Sequence, residues 1–223
     1  MKKQIAIFAL AGLWLGHALA ADLSNDKQRF SYLIGMQVGQ QLKQDNIELD
    51  EAAFMAAIKD ALAGNKPQLT DEQMKTTVQH VQAQREAEAK KLGEKNRAEG
   101  EKFLAANKSK PGVKATKSGL QYKVIKEGTG ASPKATDTVE VDYRGTLIDG
   151  QEFDSSYARG KPATFPVNGV IPGWQEALQM MKEGAKWQIY VPSDLAYGEH
   201  GAGGLIGPNA TLIFDVELHK IQK

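Results

Sequence analysis

From residue 120 onward, apolar and polar positions alternate in four separate runs. The runs are Leu120–Val124, Val139–Tyr143, Trp187–Val191 and Leu212–Leu218. A period of two is typical of strands that bury one face, and Asp149-Gly150 indicates a tight hairpin turn. One segment with helical spacing, Trp174–Met181, supplies a further apolar face. The pattern therefore predicts an α+β domain in which an antiparallel sheet curls over one helix, with a pocket between them.

Residues 22–64 show helical spacing instead. Phe30, Leu33, Ile34, Val38 and Leu42 recur at helical spacing, and Asp50 and Gly64 are suited to cap and end a second helix. Two short helices bury too little apolar surface to be stable alone. We therefore predict a helical self-association module over residues 21–69, with Gly35 and Gly39 permitting close approach of another helix. The alternative is that these helices pack on the C-terminal domain.

A long polar stretch follows this module. Thr70 and Gln73 have the spacing of a capping box, and no proline interrupts the sequence until Pro111. If continuous, a helix over residues 71–106 would be about 54 Å long. Its middle, Gln82–Glu101, is almost wholly polar, which predicts a solvated arm with Gly93 and Gly100 as candidate bend points. These features predict a connecting helix over residues 70–108 and a second domain over residues 109–223.

The first 20 residues have the pattern of a secretory signal peptide. Lys2 and Lys3 precede an apolar run, Ile5–Leu15, and Ala18–Ala20 matches an A-x-A cleavage site. The run is too short to span a bilayer, which disfavours the alternative of a membrane anchor. The chain has no cysteine, so neither a lipid-modified cysteine nor a disulfide is available. We predict a periplasmic protein without an integral membrane span; association with the outer membrane or cell surface is a further alternative.

Composition and charge narrow the function classes. The 223 residues are 41% hydrophobic and 25% charged, as in ordinary globular proteins. The 28 basic residues nearly balance the 27 acidic ones, which gives no electrostatic argument for nucleic acid. The four histidines, His17, His80, His200 and His219, have no acidic or cysteine partners at metal-ligand spacing. We therefore predict neither a metal nor another cofactor.

Five motifs follow one another in the C-terminal half. They are Val139–Gly150, Phe153–Ser156, Val170–Trp174, Tyr197-Gly198 and Thr211–Leu218. In this order and spacing they resemble the FKBP-type peptidyl-prolyl cis-trans isomerases, from about Gly119 to the C-terminus. Ser31–Gly39 resembles the two-domain bacterial branch named for the macrophage infectivity potentiator. The resemblance implies an FKBP-like domain over residues 109–223 and a homodimer formed through the N-terminal helices.

The resemblance also implies a set of site residues. An apolar box for a prolyl ring would be lined by Tyr143, Phe153, Val170, Ile171, Trp174 and Phe214, with Phe165 and Arg159 completing the binding set. Asp154, held by Tyr143 or Arg159, and the Tyr197 hydroxyl would be the catalytic groups, and the Ile171 N–H a second donor. From the sequence alone, each aromatic is also explained as an ordinary core residue, and Asp154 as a surface carboxylate.

Isomerisation in such a pocket requires no bond to be broken and no nucleophile. Rotation about an X-Pro bond faces a barrier of about 18–20 kcal/mol, and an apolar box disfavours the charge-separated planar amide more than the twisted one. We predict an isomerase that accelerates folding of extracytoplasmic proteins, with chaperone activity as a dimer and rapamycin-type macrolides as inhibitors. Its partners would be proline-containing unfolded or partly folded proteins. The alternative is a dimeric holdase whose proline pocket only docks clients.

Two positions depart from the pattern of many single-domain relatives. Ala163 replaces an aromatic, and Ala202-Gly203 replaces a His-Pro pair. Both lie where drug affinity and substrate preference are expected to be set. The glycine-rich segment Gly198–Gly207 predicts a mobile lid over the pocket. A chain starting at about Lys108 is expected to remain folded and active as a monomer.

Overall fold

The computed structural model of the chain describes residues 21–44 and 47–222. The predicted signal peptide, Met1–Ala20, lies outside the described residues. The chain divides into two compact units, Met1–Glu48 and Leu49–Lys223, and each is described by itself. Within the described residues, none of the helices combines the length and the hydropathy needed to cross a membrane.

The first unit contains helix α1, Asp26–Gln44, none of whose residues is buried within the single chain. Its large apolar side chains are exposed: Phe30 by 65%, Leu33 by 59% and Ile34 by 47%. In the second unit, helix α2 spans Glu51–Ala63 and also buries no residue. The predicted ends of α2 are confirmed, because the Asp50 carboxylate accepts from the Ala53 N–H and Gly64 ends the helix with φ +70°. Each helix therefore exposes apolar surface that its own unit does not cover.

Helix α3 runs from Asp71 to Asn107 as one element of 37 residues, about 55 Å long. The predicted capping box is confirmed: the Thr70 hydroxyl accepts from the Gln73 N–H, and the Gln73 side chain accepts from the Thr70 N–H. The helix continues through Gly93 and Gly100, and both glycines are buried. The prediction of a solvated arm over Gln82–Glu101 is therefore wrong at Gly93, Asn96 and Gly100, and neither glycine ends the helix.

The last turns of α3 pack on the sheet of the same unit. Asn107 is fully buried and donates to Oε1 of Gln121 at 3.0 Å, while Nε2 of Gln121 donates to the Leu104 carbonyl at 2.9 Å. The Phe103 ring lies 6.0 Å from that of Tyr190. A Cβ added at Gly100 would meet Oγ1 of Thr211 at 2.3 Å. This glycine is thus a contact position where the helix backbone approaches the domain closely.

Within the part of the chain that the structure describes, seven strands form one antiparallel sheet in the order β1-β2-β6-β7-β3-β4, with β5 also paired to β3. The strands are β1 (Val113–Ala115), β2 (Gln121–Lys126), β3 (Thr138–Leu147), β4 (Glu152–Ser155), β5 (Ala163–Pro166), β6 (Lys186–Val191) and β7 (Leu212–Gln222). The four alternating runs of the sequence correspond to β2, β3, β6 and β7. The predicted Asp149-Gly150 turn joins β3 to β4, and the Gly150 N–H donates to the Leu147 carbonyl at 3.0 Å.

One helix, α4 (Pro172–Met180), fills the concave side of the sheet. Pro172 at its first position favours the helical start, and Trp174, Ala177 and Leu178 are its buried apolar residues. Gly173 permits the close approach to the sheet, because a Cβ there would lie 2.5 Å from Cγ1 of Val191 in β6. The predicted α+β architecture is confirmed, with the start of α4 at the bottom of a cavity.

Candidate active site

A cavity of about 440 Å³ opens between the start of α4 and the sheet, within the range of about 300–1,000 Å³ usual for ligand pockets. Nine of the ten residues predicted for the site line it: Tyr143, Phe153, Asp154, Phe165, Val170, Ile171, Trp174, Tyr197 and Phe214. Arg159, the tenth, contacts Asp154 and the Tyr143 hydroxyl. Residues that are far apart in the sequence are thus brought together around one concave surface.

The floor of the cavity is the Trp174 indole, which is 4% exposed. Three rings meet it edge to face: Tyr143 and Phe214 at 5.3 Å and Phe165 at 6.0 Å between ring centroids. Edge-to-face contacts of this kind stabilise aromatic clusters beyond simple burial. Trp174 therefore belongs both to the core and to the pocket. From the sequence, these two roles were alternative interpretations. Its indole N–H has no hydrogen-bond partner among the described residues.

Charged groups are confined to the rim. The Tyr143 hydroxyl donates to Oδ2 of Asp154, and the Arg159 guanidinium pairs with Oδ1 of the same carboxylate and donates to the Tyr143 hydroxyl at 2.7 Å. Partial burial alone would raise the pKa of Asp154. The hydrogen bonds from Tyr143 and Arg159 and the charge of Arg159 outweigh that effect, so this pKa lies below its ordinary value. The rim therefore carries a fixed carboxylate at neutral pH.

Two donors at the cavity are unused within the described residues. Tyr197 is 40% exposed, and its hydroxyl forms no hydrogen bond with another described residue. Burial, together with the nearby charge of Asp154, raises the pKa of Tyr197, so the hydroxyl keeps its proton. The Ile171 N–H likewise makes no backbone hydrogen bond in the described chain. Both groups are free to donate to a bound carbonyl.

The rest of the wall comes from the loop before β7, which we call the 198–211 loop. Ala202, Gly203, Leu205 and Ile206 line the cavity, and so does Gly169 from another loop. Ala202 and Ile206 exchange two backbone hydrogen bonds of 2.8 and 3.0 Å. Sequence reasoning did not include Leu205, Ile206 or Gly169 among the site residues. The apolar pair Leu205-Ile206 inside a glycine-rich loop could have indicated that this loop contributes to the pocket wall.

A second polar cluster supports Tyr143 from behind. The Ser156 hydroxyl accepts from the Tyr143 N–H at 2.9 Å and donates to Oδ1 of Asp142 at 2.7 Å. Nε2 of His219 lies 2.7 Å from Oδ2 of Asp142. His219 thus has an acidic partner that its neighbours in the sequence do not supply, because pairing of β3 with β7 brings distant positions together. Among the described residues, no three His, Cys, Asp or Glu side chains are grouped as metal ligands.

Comparison with known proteins agrees with this geometry. A family model described as the domain amino terminal to FKBP-type peptidyl-prolyl isomerase matches residues 27–124, and one described as FKBP-type peptidyl-prolyl cis-trans isomerase matches residues 130–219. Outer membrane protein MIP of Legionella longbeachae is 47% identical over 231 residues, covering 100% of this chain and 99% of that protein. The chain belongs to the FKBP-type peptidyl-prolyl cis-trans isomerases.

Other relatives place this FKBP-type isomerase in the two-domain branch. Peptidyl-prolyl cis-trans isomerase Mip of Coxiella burnetii is 46% identical over 234 residues and is covered over its whole length, as is this chain. The crystal structure of FkpA from Escherichia coli is similar with a TM-score of 0.63 and 40% identity, covering 89% of this chain and 98% of that one. The protein is therefore a peptidyl-prolyl cis-trans isomerase with an N-terminal helical region, a long helix and an FKBP domain.

Proposed function

We propose that the cavity over Trp174 is where this isomerase catalyses rotation about X-Pro peptide bonds. The observation that carries the proposal is the aromatic box with a single ion-paired carboxylate at its rim and two unused donors. Trp174, Tyr143, Phe153 and Phe214 would enclose the prolyl ring, with Phe165, Val170 and Ile171 completing the apolar lining. No nucleophile is needed, since only rotation about the amide is required.

The proposed mechanism depends on what the box excludes. The planar amide is stabilised by charge separation, which water solvates well and an apolar box does not. Rotation out of the plane removes that charge separation, so the box favours the twisted transition state over the ground state. The Tyr197 hydroxyl and the Ile171 N–H would hold substrate carbonyls. Asp154 would fix the Tyr143 wall through the Tyr143–Asp154–Arg159 contacts and supply negative charge at the rim.

Substitutions of single groups test this assignment. Tyr197→Phe removes one donor and keeps the ring, so we expect kcat/KM toward a proline tetrapeptide to fall about two- to tenfold, the scale of one hydrogen bond. Tyr122→Phe is the matched control, because Tyr122 stacks on Trp187 away from the cavity lining. Full activity of both Tyr197→Phe and Asp154→Leu would remove the basis of the assignment.

We also propose that the chain acts as a homodimer. Helix α1 buries no residue within one chain, yet Phe30 and Leu33 expose 65% and 59% of their surface. A second copy offers the same apolar face and would cover both. Two pockets joined by long helices would then hold a large unfolded client by avidity, without any new contact. This arrangement is the proposed source of chaperone activity.

The dimer can be tested apart from the active site. Phe30→Glu combined with Leu33→Glu places two charges on the α1 face, and light scattering should then report a monomer. Tetrapeptide isomerisation should be unchanged, whereas suppression of client aggregation should fall. Gln82→Glu, on an exposed position of α3, is the control for added charge. A wild-type monomer at micromolar concentration would contradict the dimer proposal.

The place of action is proposed to be outside the cytoplasm. The basic start, the short apolar run and the A-x-A site of Met1–Ala20 are typical of a cleaved secretory signal. The relative from Legionella longbeachae carries the name outer membrane protein. We expect the mature chain to begin after Ala20. N-terminal sequencing of protein recovered from periplasmic and membrane fractions tests both the cleavage and the location.

A further inference from the structure

Helix α3 contacts both ends of the 198–211 loop. Nδ2 of Asn96 donates to the Pro208 carbonyl at 2.8 Å, near the end of the loop. The Arg97 guanidinium lies 3.5 Å from the Glu199 carboxylate, near its start. Gly207 is packed on the same helix, since a Cβ there would lie 3.1 Å from Nδ2 of Asn96. The loop that forms one wall of the active site therefore rests on the helix that leads to the N-terminal region.

Asn209 connects this helix to the catalytic side of the loop. It is 8% exposed, and among the described residues it alone combines a side chain with a positive φ, +55°. Asparagine tolerates this left-handed conformation better than most residues. Its Nδ2 donates to the Gly93 carbonyl at 3.4 Å, and its Oδ1 accepts from Arg97 at 3.2 Å. Its own N–H donates to the carbonyl of Gly198 at 2.8 Å, the residue next to Tyr197.

The two helix glycines make these contacts sterically feasible. A Cβ at Gly93 would approach Nδ2 of Asn209 to 3.0 Å, and one at Gly100 would approach Oγ1 of Thr211 to 2.3 Å. A side chain at Gly100 would force the helix and Thr211 apart, and one at Gly93 would require the Asn209 side chain to shift. The glycines cost helix stability, about 1 kcal/mol each relative to alanine, and the close contact gives a physical reason for their presence.

We propose that Asn209, seated on α3, is a positioning residue that sets the Tyr197 donor relative to the pocket. The inference rests on the proposed role of Tyr197. The Tyr197 hydroxyl has no partner of its own in the described chain, so its place depends on the backbone of residues 197–198. That backbone is held by Asn209, and Asn209 is held by Gly93 and Arg97 of the helix. Donors at catalytic sites lose effect when they are displaced by about 0.5 Å.

The first test is a double-mutant cycle in the full chain. Asn209→Gly keeps a residue that adopts positive φ and removes both side-chain contacts with α3. We expect kcat/KM toward a proline tetrapeptide to fall about two- to tenfold, because the effect cannot much exceed that of the donor itself. In the Tyr197→Phe background, Asn209→Gly should cause little additional loss. A residue with a merely structural role would lower activity equally in both backgrounds.

A second pair of variants tests the helix contact independently. Gly100→Ala should displace α3 from Thr211 and lower kcat/KM, and Thr211→Ala should restore most of the loss by removing the Oγ1 atom that the new methyl group meets. Arg97→Ala should act in the same direction as Asn209→Gly. Arg85→Ala is its control, since Arg85 lies on the exposed part of the same helix and carries the same charge.

The outcomes separate this inference from the proposed function. If Tyr197→Phe lowers activity while Asn209→Gly and Gly100→Ala leave kcat/KM unchanged, the positioning role is refuted and the donor role stands. If Tyr197→Phe itself has no effect on kcat/KM, both the donor role of Tyr197 and the positioning role of Asn209 are refuted. Equal losses from Asn209→Gly with and without the Tyr197 hydroxyl would also overturn the positioning role. Non-additive losses, together with rescue of Gly100→Ala by Thr211→Ala, would support it.

Discussion

Removing α3 up to residue 107 should destabilise the FKBP domain. We compare a fragment of residues 88–223 with one of residues 108–223. The shorter fragment lacks Asn107 and the Leu104 carbonyl, the two hydrogen-bond partners of the buried Gln121 side chain. It also lacks Phe103 and Leu104, which are half-buried, and uncovers the Tyr190 ring.

The size of the effect follows from these contacts. Two hydrogen bonds contribute about 1 kcal/mol each, and two half-buried apolar side chains contribute about 1 kcal/mol each, half of the value for full burial. The expected loss in the free energy of unfolding is therefore about 4 kcal/mol. At about 4 °C per kcal/mol for a domain of this size, the Tm of the shorter fragment should lie about 15 °C lower.

Thermal denaturation followed by circular dichroism measures this difference, and Gln121→Ala supplies the control. In the longer fragment the substitution should lower the free energy of unfolding by about 2 kcal/mol, since both bonds are lost. In the shorter fragment it should change little, because the partners are already absent. Equal Tm values for the two fragments, or an equal effect of Gln121→Ala in both, would show that the α3 contact does not stabilise the domain.

Three further predictions concern the pocket. Trp174→Ala should cost about 3–5 kcal/mol of stability in urea denaturation, because the ring is 4% exposed and its loss leaves a cavity; a loss below about 1 kcal/mol would show that the ring is not part of the core. Asp154→Leu should lower isomerisation and rapamycin affinity with only a small change in Tm, since the carboxylate lies at the rim; unchanged activity and affinity would exclude it from the site. The pKa of Asp154 in the folded state lies below its unfolded value, so its contribution to stability is complete above about pH 4 and is lost as the pH falls through the lower folded pKa. Asp154→Asn should remove this part of the acid dependence of unfolding. Acid-unfolding curves of the same shape for Asp154→Asn and the wild type would contradict the lowered pKa.

The elements predicted from the sequence are those with a repeated pattern. β3 and β7 contain ten and eleven residues, and buried positions alternate with more exposed ones over residues 138–146 and 212–219. One face of each strand is therefore apolar and can be recognised from the sequence. β1, β4 and β5 contain only three or four residues each, which is too short for a period of two to be distinguished from chance. They are held by pairing with longer neighbours. Their presence is thus a property of the sheet and not of their own sequences.

The site residues also differ in how far the sequence alone could predict them. The aromatic residues stood out by type and suggested a pocket at Trp174, but their assignment to a prolyl-ring box depends on long-range strand pairing and came from the family resemblance. The contact of residues 93–100 of α3 with the domain was not predicted, because Gly93, Asn96, Arg97 and Gly100 make it without an apolar stripe. Glycine and polar residues on a helix usually indicate solvent or a bend, and here they allow close approach and hydrogen bonding.

The α3 contact changes how a deletion of the N-terminal half should be interpreted. The rim network of Tyr143, Asp154 and Arg159 is built from β3, β4 and the loop after β4, none of which needs α3. The opposite wall, the 198–211 loop, is held by Asn96 and Arg97. A chain starting at Lys108 would therefore lose the proposed dimer face and the support of this wall together, so a fall in chaperone activity could not be assigned to either. A chain starting near residue 88 would lose only the proposed dimer face, and α1 substitutions in the full chain would change only that face. If the two pockets of a dimer are the source of chaperone activity, these last two variants should lose it while retaining tetrapeptide isomerisation.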